Sequence, residues 1–146
     1  MTTIKLKLKD LNLRLAEKSA IYLTQKQHTK DGETPCFPDL LRTPDSQLKK
    51  LYEIGLSKSL FKIKGWVTGY TSTPDEITID MTIAADSKEF VETLLNLSAE
   101  SHILAETFMS CDEKLSSHFA NRCTEAREAL VCYLAYINKY FNIYYE

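Results

Sequence analysis

Glycine and proline are scarce in this 146-residue chain, at four each. That is too few turn formers for a sandwich of many short strands. No apolar run approaches the length of a membrane span, and the lysine-rich alternating N-terminus does not read as a signal peptide. There is no GxSxG elbow, no phosphate-cradling glycine loop and no RNP-like sequence. The four cysteines (Cys36, Cys111, Cys123, Cys132) show no CxxC spacing, and the histidines form no HxxxH or ExxH pair. His102, Cys111, His118 and Cys123 therefore make an unconvincing metal set. The cysteines read as free thiols in a reducing compartment, three of them small hydrophobes in helices. Glu125 and Glu128 lie one helical turn apart, and a solvated face explains them better than a catalytic dyad. These absences lead to the expectation of a protein that is not an enzyme and that holds no cofactor and no metal.

What is present is ordinary for a globular domain: 44% hydrophobic and 26% charged residues. A chain of this length buries about two-thirds of its unfolded surface and needs no staple. One domain over residues 1–146 is expected. The net charge of −2 is unevenly placed. Residues 1–64 carry thirteen Lys/Arg against seven Asp/Glu, and residues 65–146 carry five against thirteen. Unless folding interleaves the halves, the surface has a basic end and an acidic end.

The longest periodic signal is a helical hairpin over Ser87 to Tyr145. Asp86 or Ser87 is placed to cap its first helix, with Glu89 three residues after Asp86. Phe90, Leu94, Leu97, Leu104 and Phe108 form one apolar row, and Val91, Leu95, Ala105 and Met109 a second. Glu92, Glu100 and Glu106 lie away from the centre of that face. Ser110, Cys111 and Asp112 mark a tight turn, with Asp112 as the next cap. The last helix carries Leu115, Phe119, Cys123, Ala126, Leu130, Leu134, Ile137 and Phe141 at i, i+3/i+4 spacing. Beside that stripe run Tyr133, Tyr136, Tyr140 and Tyr144, and five of the last fourteen residues are Tyr. Such tyrosines either edge the core with their hydroxyls in water or form a second apolar stripe that packs on another subunit.

Earlier in the chain, Ile4, Leu6 and Leu8 alternate with Lys5, Lys7 and Lys9, which predicts a half-buried strand at a sheet edge. After Asp10 two readings fit. The strand continues past a bulge, or Asp10 caps a helix to about Gln27 with Leu13, Ala16, Ala20 and Leu23 inward. Helix formers from Ala16 to Gln27 favour the helix. Residues 28–44 read as an irregular loop, with Cys36, Phe37, Leu40 and Leu41 either pinning it to its own core or docking it on a neighbour as an arm. A short helix Ser46 to Ile54 follows, capped by Asp45 and stopped by Gly55. The period-2 pattern then predicts a hairpin. Phe61, Ile63 and Val67 point inward in its first strand, and Ile77, Ile79, Met81 and Ile83 in its second. The loop Thr71 to Glu76 joins them, and Gly65 and Gly69 lie on the inner face.

The resulting expectation is an α+β fold: a small antiparallel sheet, built from the N-terminal strand and a hairpin near residues 60–84, covered by a long C-terminal helical hairpin. The expected function is that of a non-enzymatic structural subunit of a multi-subunit assembly, for example a phage particle component. It would act through contacts with itself or other subunits and form a homo-oligomer. Tyr133, Tyr136, Tyr140, Tyr144, Phe37 and Leu40 are the expected contact residues. The expected location is the cytoplasm or a particle assembled there, with no membrane partner. The alternative is a small nucleic-acid-binding module that stacks bases on Trp66 and Tyr70 between Lys62 and Lys64. Asp80 on the partner strand and a pI near 5.9 count against it. A small enzyme with an unrecognised site is the third possibility. Thiol titration of the denatured protein, with no reductant added beforehand, is expected to find four free thiols per chain. A native disulfide would remove the basis for the reducing compartment.

Overall fold

A computed structural model describes residues 1–26 and 39–145, with side-chain detail for 1–22 and 39–137. The fold is α+β. Strand β1 (Thr2–Lys7) leads to helix α1 (Leu11–Lys26), then α2 (Asp45–Lys62), β2 (Val67–Ser72), β3 (Glu76–Met81), α3 (Lys88–Phe108) and α4 (Glu113–Tyr145). The sheet is antiparallel in the order β1-β3-β2. The alternation in β1 does what it predicts. Thr2, Ile4 and Leu6 are buried, while Lys5 and Lys7 are exposed. Ile4 lies opposite Ile79 and Leu6 opposite Ile77, so the apolar faces of β1 and β3 coincide. As expected, β1 is an edge strand.

Between β1 and α1, Asp10 adopts a left-handed φ of 56°. Its carbonyl accepts the Arg14 N–H at 3.0 Å, so its backbone starts the helix. The helical reading of this segment is the observed one, but with a different inward face. Leu11, Leu15 and Ser19 are buried at i, i+4, i+8, while Leu13 is 46% exposed and Ala20 is exposed. Arg14 and Lys18 both reach back to Glu100 on α3, and that contact fixes the rotation of α1.

Helix α2 does not stop at Gly55. It continues to Lys62, because Leu48, Tyr52, Leu56, Ser59 and Ile63 form one buried helical row. Phe61, expected inside a strand, is 70% exposed on the helix. Gly55 serves a different purpose. A Cβ at this position would lie 2.8 Å from the Cβ of His102, so the missing side chain lets α2 and α3 approach closely. The hairpin starts later than expected, at Val67, after a turn of 3₁₀ helix over Lys64–Trp66.

The helical pair matches its expectation most fully. The Asp112 carboxylate accepts the Leu115 N–H at 3.1 Å and caps α4. The Phe108 carbonyl accepts the Cys111 and Asp112 N–H groups and closes α3. Leu115, Phe119, Cys123, Ala126, Leu130 and Leu134 are all buried. Departures from expectation include Phe90, 46% exposed, and Met109, 61% exposed, at the two ends of α3, the buried Glu100, and Ser87, whose side chain makes no cap bond.

Gly55→Ala is expected to destabilise the protein by about 1–3 kcal/mol. Overpacking against His102 outweighs the roughly 1 kcal/mol of helix propensity gained. Equilibrium urea unfolding checks this, and an increase in stability would mean that α2 and α3 are not in close contact at this point.

A candidate contact surface at the end of α4

Helix α4 has 33 residues and its partner α3 has 21. The Tyr133 hydroxyl lies 3.1 Å from Ser87 Oγ, and the Tyr133 ring packs 4.4 Å from that of Phe90. Residue 133 is thus level with the start of α3. The rest of α4 runs on past its partner for about 18 Å at 1.5 Å per residue. Leu134 still reaches the core at 1% exposure, and Ile137 is half-buried. Tyr136 is 66% exposed. Tyr140 and Tyr144 sit on the helical backbone of this stretch, outside the residues whose side chains are described.

The four tyrosines are therefore not one uniform stripe. Tyr133 is a packing residue of its own domain, and Tyr136 belongs to the surface. Of the loop residues expected to dock on a neighbour, Phe37 lies outside the described residues. Leu40 is 3% exposed, and the neighbouring Leu41 carbonyl accepts a hydrogen bond from Asn12. Leu40 is a core residue, which corrects its assignment to an arm.

The supposed nucleic-acid face does not assemble. Lys62 ends α2, Lys64 and Trp66 lie in the 3₁₀ turn, and only Tyr70 is on a strand. A bulge between Val67 and Gly69 shifts the register, so Tyr70 faces the same side as buried Ile79. Burial and the nearby Glu53 carboxylate raise its pKa. Lys64 Nζ sits 4.9 Å from the Phe61 ring instead of flanking Trp66. Gly69 lies opposite Asp80, where a Cβ would come 2.9 Å from the carboxylate, and nothing lies close to Gly65. Neither glycine marks a helix approach on the inner face.

The sequence reading missed the polar interior. Glu100, expected off the apolar face, is 1% exposed. Arg14 donates to its Oε1 at 3.1 Å, and Lys18 bonds its Oε2. Between α2, α3 and α4, Ser59 Oγ lies 2.8 Å from Ser98 Oγ, and Ser98 reaches the Leu95 carbonyl at 2.8 Å. Arg127 from α4 closes the set, donating to Ser59 Oγ at 3.0 Å and to the Gly55 carbonyl at 3.1 Å. The only sequence signal was the i, i+4 pair Arg14 and Lys18 on one face of α1, which calls for an acidic partner without saying where. Arg14 and Lys18 keep part of their side chains in solvent, while Glu100, Ser59 and Ser98 are buried. These three are buried polar groups with partners.

Among the described residues, no group of three or more His, Cys, Asp or Glu is placed to hold a metal. No described helix is long and apolar enough to cross a membrane. The chain matches no family model, no curated protein and no solved structure.

His102 gives this region a pH signature. Burial first, and the positive charge of Lys58 second, lower its pKa from the ordinary 6.5. The unfolded chain therefore takes up this proton at a higher pH than the folded one. The contribution is intact above about pH 6.5 and is lost as pH falls through the lower folded value. The urea midpoint is expected to drop between pH 7 and pH 5, with a smaller drop in His102→Gln. Equal slopes in the two proteins would mean that His102 titrates as if exposed.

Proposed function

We propose that this protein is a non-enzymatic structural subunit of a multi-subunit assembly, such as a phage particle, and that the end of α4 beyond Tyr133 is its principal contact. The observation that carries the reading is the overhang itself. About three turns of helix run past α3, bearing Tyr136, Tyr140, Phe141, Ile143, Tyr144 and Tyr145. A helical segment of that length gains little from propensity alone and is stabilised chiefly by packing an apolar face. Tyrosine suits such a face, because it buries a large ring while its hydroxyl keeps a polar partner. The partner is a second copy or another subunit. The location consistent with this role is the cytoplasm or a particle assembled in it.

Charge asymmetry between the two halves adds little. Arg14 and Lys18 from the basic half are paired with Glu100 from the acidic half inside one monomer. Surface attraction is also screened beyond about 8 Å at physiological salt. Apolar burial on the α4 overhang is the main source of a lasting contact.

Light scattering of the native protein is expected to show a mass above the monomer, at low and at high salt. Tyr136→Ser with Tyr140→Ser is expected to shift it toward the monomer by about tenfold or more in dissociation constant, leaving the circular dichroism spectrum unchanged. A wild-type protein that stays monomeric at high concentration and draws no partner from its own extract would sink the reading. So would a double variant that unfolds, since that places the stripe in the core.

A further inference from the structure

A different surface lies at the other end of the chain. Between β1, α1 and α3 runs a cleft of about 490 Å³. Its floor is β1 at Lys5, Leu6 and Lys7, and its walls are Arg14 and Lys18 from α1 and Glu92, Thr93, Asn96 and Leu97 from α3. Strand β1 is at the edge of the sheet, and among the described residues no strand lies on its outer side. The Leu8 N–H bonds to the Asp75 carbonyl on the β3 side at 2.9 Å. In an antiparallel ladder the backbone groups of odd-numbered residues here must point the other way, those of Lys5 and Lys7 on the side of the cleft. The Lys7 carbonyl agrees, since it accepts from Arg14 Nη2 at 3.0 Å on that side. Arg14 also takes the Lys9 carbonyl and so ends the open edge there. The N–H groups of Thr3, Lys5 and Lys7 and the carbonyls of Thr3 and Lys5 remain as a short template for one more strand.

We propose that this edge receives an extended segment of a partner protein with alternating acidic and apolar residues, added as a fourth strand beside β1. The alternation follows from the pleat. One set of side chains of the added strand faces α3, where Glu92 repels a carboxylate and Thr93 and Leu97 accept small uncharged groups. The other set lies beside exposed Lys5 and Lys7. Lys5 stands opposite uncharged Thr78 within the sheet, so its charge is open to an acidic cross-strand neighbour, whereas Lys7 already faces Glu76. A second copy is a poor occupant. Pairing β1 with β1 on matching faces sets lysine beside lysine, a repulsive arrangement. The lysines thus discourage self-pairing and select an acidic partner. This surface is remote in sequence from the α4 overhang and does not depend on it.

The probe is a blocked hexapeptide, Val-Glu-Val-Glu-Val-Glu, added to the full-length isotope-labelled protein and followed by nuclear magnetic resonance and amide exchange. The expected result is saturable binding with shifts and slowed exchange at the Thr3, Lys5 and Lys7 amides. Lys5→Glu is expected to weaken binding by about fivefold, and Lys5→Gln by less. A peptide N-methylated at the residues facing β1 is expected not to bind, which tests backbone pairing without altering the protein. Tyr136→Ser with Tyr140→Ser is expected to bind the peptide as the wild type does, which separates this site from the proposed subunit contact. No binding at millimolar peptide, binding with no change at those three amides, or undiminished binding of the methylated peptide would each overturn the proposal.

Discussion

Helix α3 is buried on every side from Ser98 to Ala105, and the rest of the molecule is arranged to make that possible. From Ser98 to Ala105 eight consecutive residues are buried, and four of them are Ser98, Glu100, Ser101 and His102. A buried carboxylate or hydroxyl without a partner costs several kcal/mol, so polar residues here require particular neighbours. Glu100 requires the Arg14 and Lys18 face of α1. Ser98 is met by Ser59 of α2, which is held in turn by Arg127 of α4. His102 packs where α2 has no side chain, at Gly55. Each surrounding helix is oriented by one polar or steric demand of α3 as well as by apolar burial.

In this arrangement the charges and hydroxyls around Glu100, Ser59 and Ser98 are used in holding the helices together. Glu100 is buried while Arg14 and Lys18 are part-exposed, so removing both cations would leave a buried carboxylate without a charge partner. The same pairs join the basic first half of the chain to its acidic second half. The outer side of β1 carries no paired strand among the described residues. It lies near the start of the chain, remote in sequence from the end of α4.

The periodic elements were legible because their signal is local. In β1, β3 and α4 the apolar residues face one side at the spacing of the element, and burial follows the spacing. The errors fall where two periods overlap or a small residue has two meanings. Phe61 and Ile63 alternate like a strand, yet Ile63 also continues the Leu48–Tyr52–Leu56–Ser59 row, and the longer row won. Gly55 looked like a helix stop because a glycine after a helical run usually is one. A glycine that admits a neighbouring helix looks the same in sequence. The bulge at Val67–Gly69 reversed the side on which Tyr70 lies, and no residue in the sequence announced it.

The sequence by itself determined the fold class, the edge position of β1, the Asp112 cap and the stripe from Leu115 to Leu134, because backbone propensity, capping and side-chain period act over a few residues. It also determined that the tyrosines crowd the last helix. Only the tertiary structure decided that Tyr133 packs inward while Tyr136 is exposed, that Leu40 is core, and that Glu100 is buried. Those outcomes depend on contacts between residues far apart in the chain. Arg14 and Glu100 are separated by 86 positions, and the Tyr133–Ser87 contact that marks where α4 passes its partner spans 46. Which face of an amphipathic helix lies nearest the core centre, and where one helix outruns another, is set by the three-dimensional packing of all the elements together.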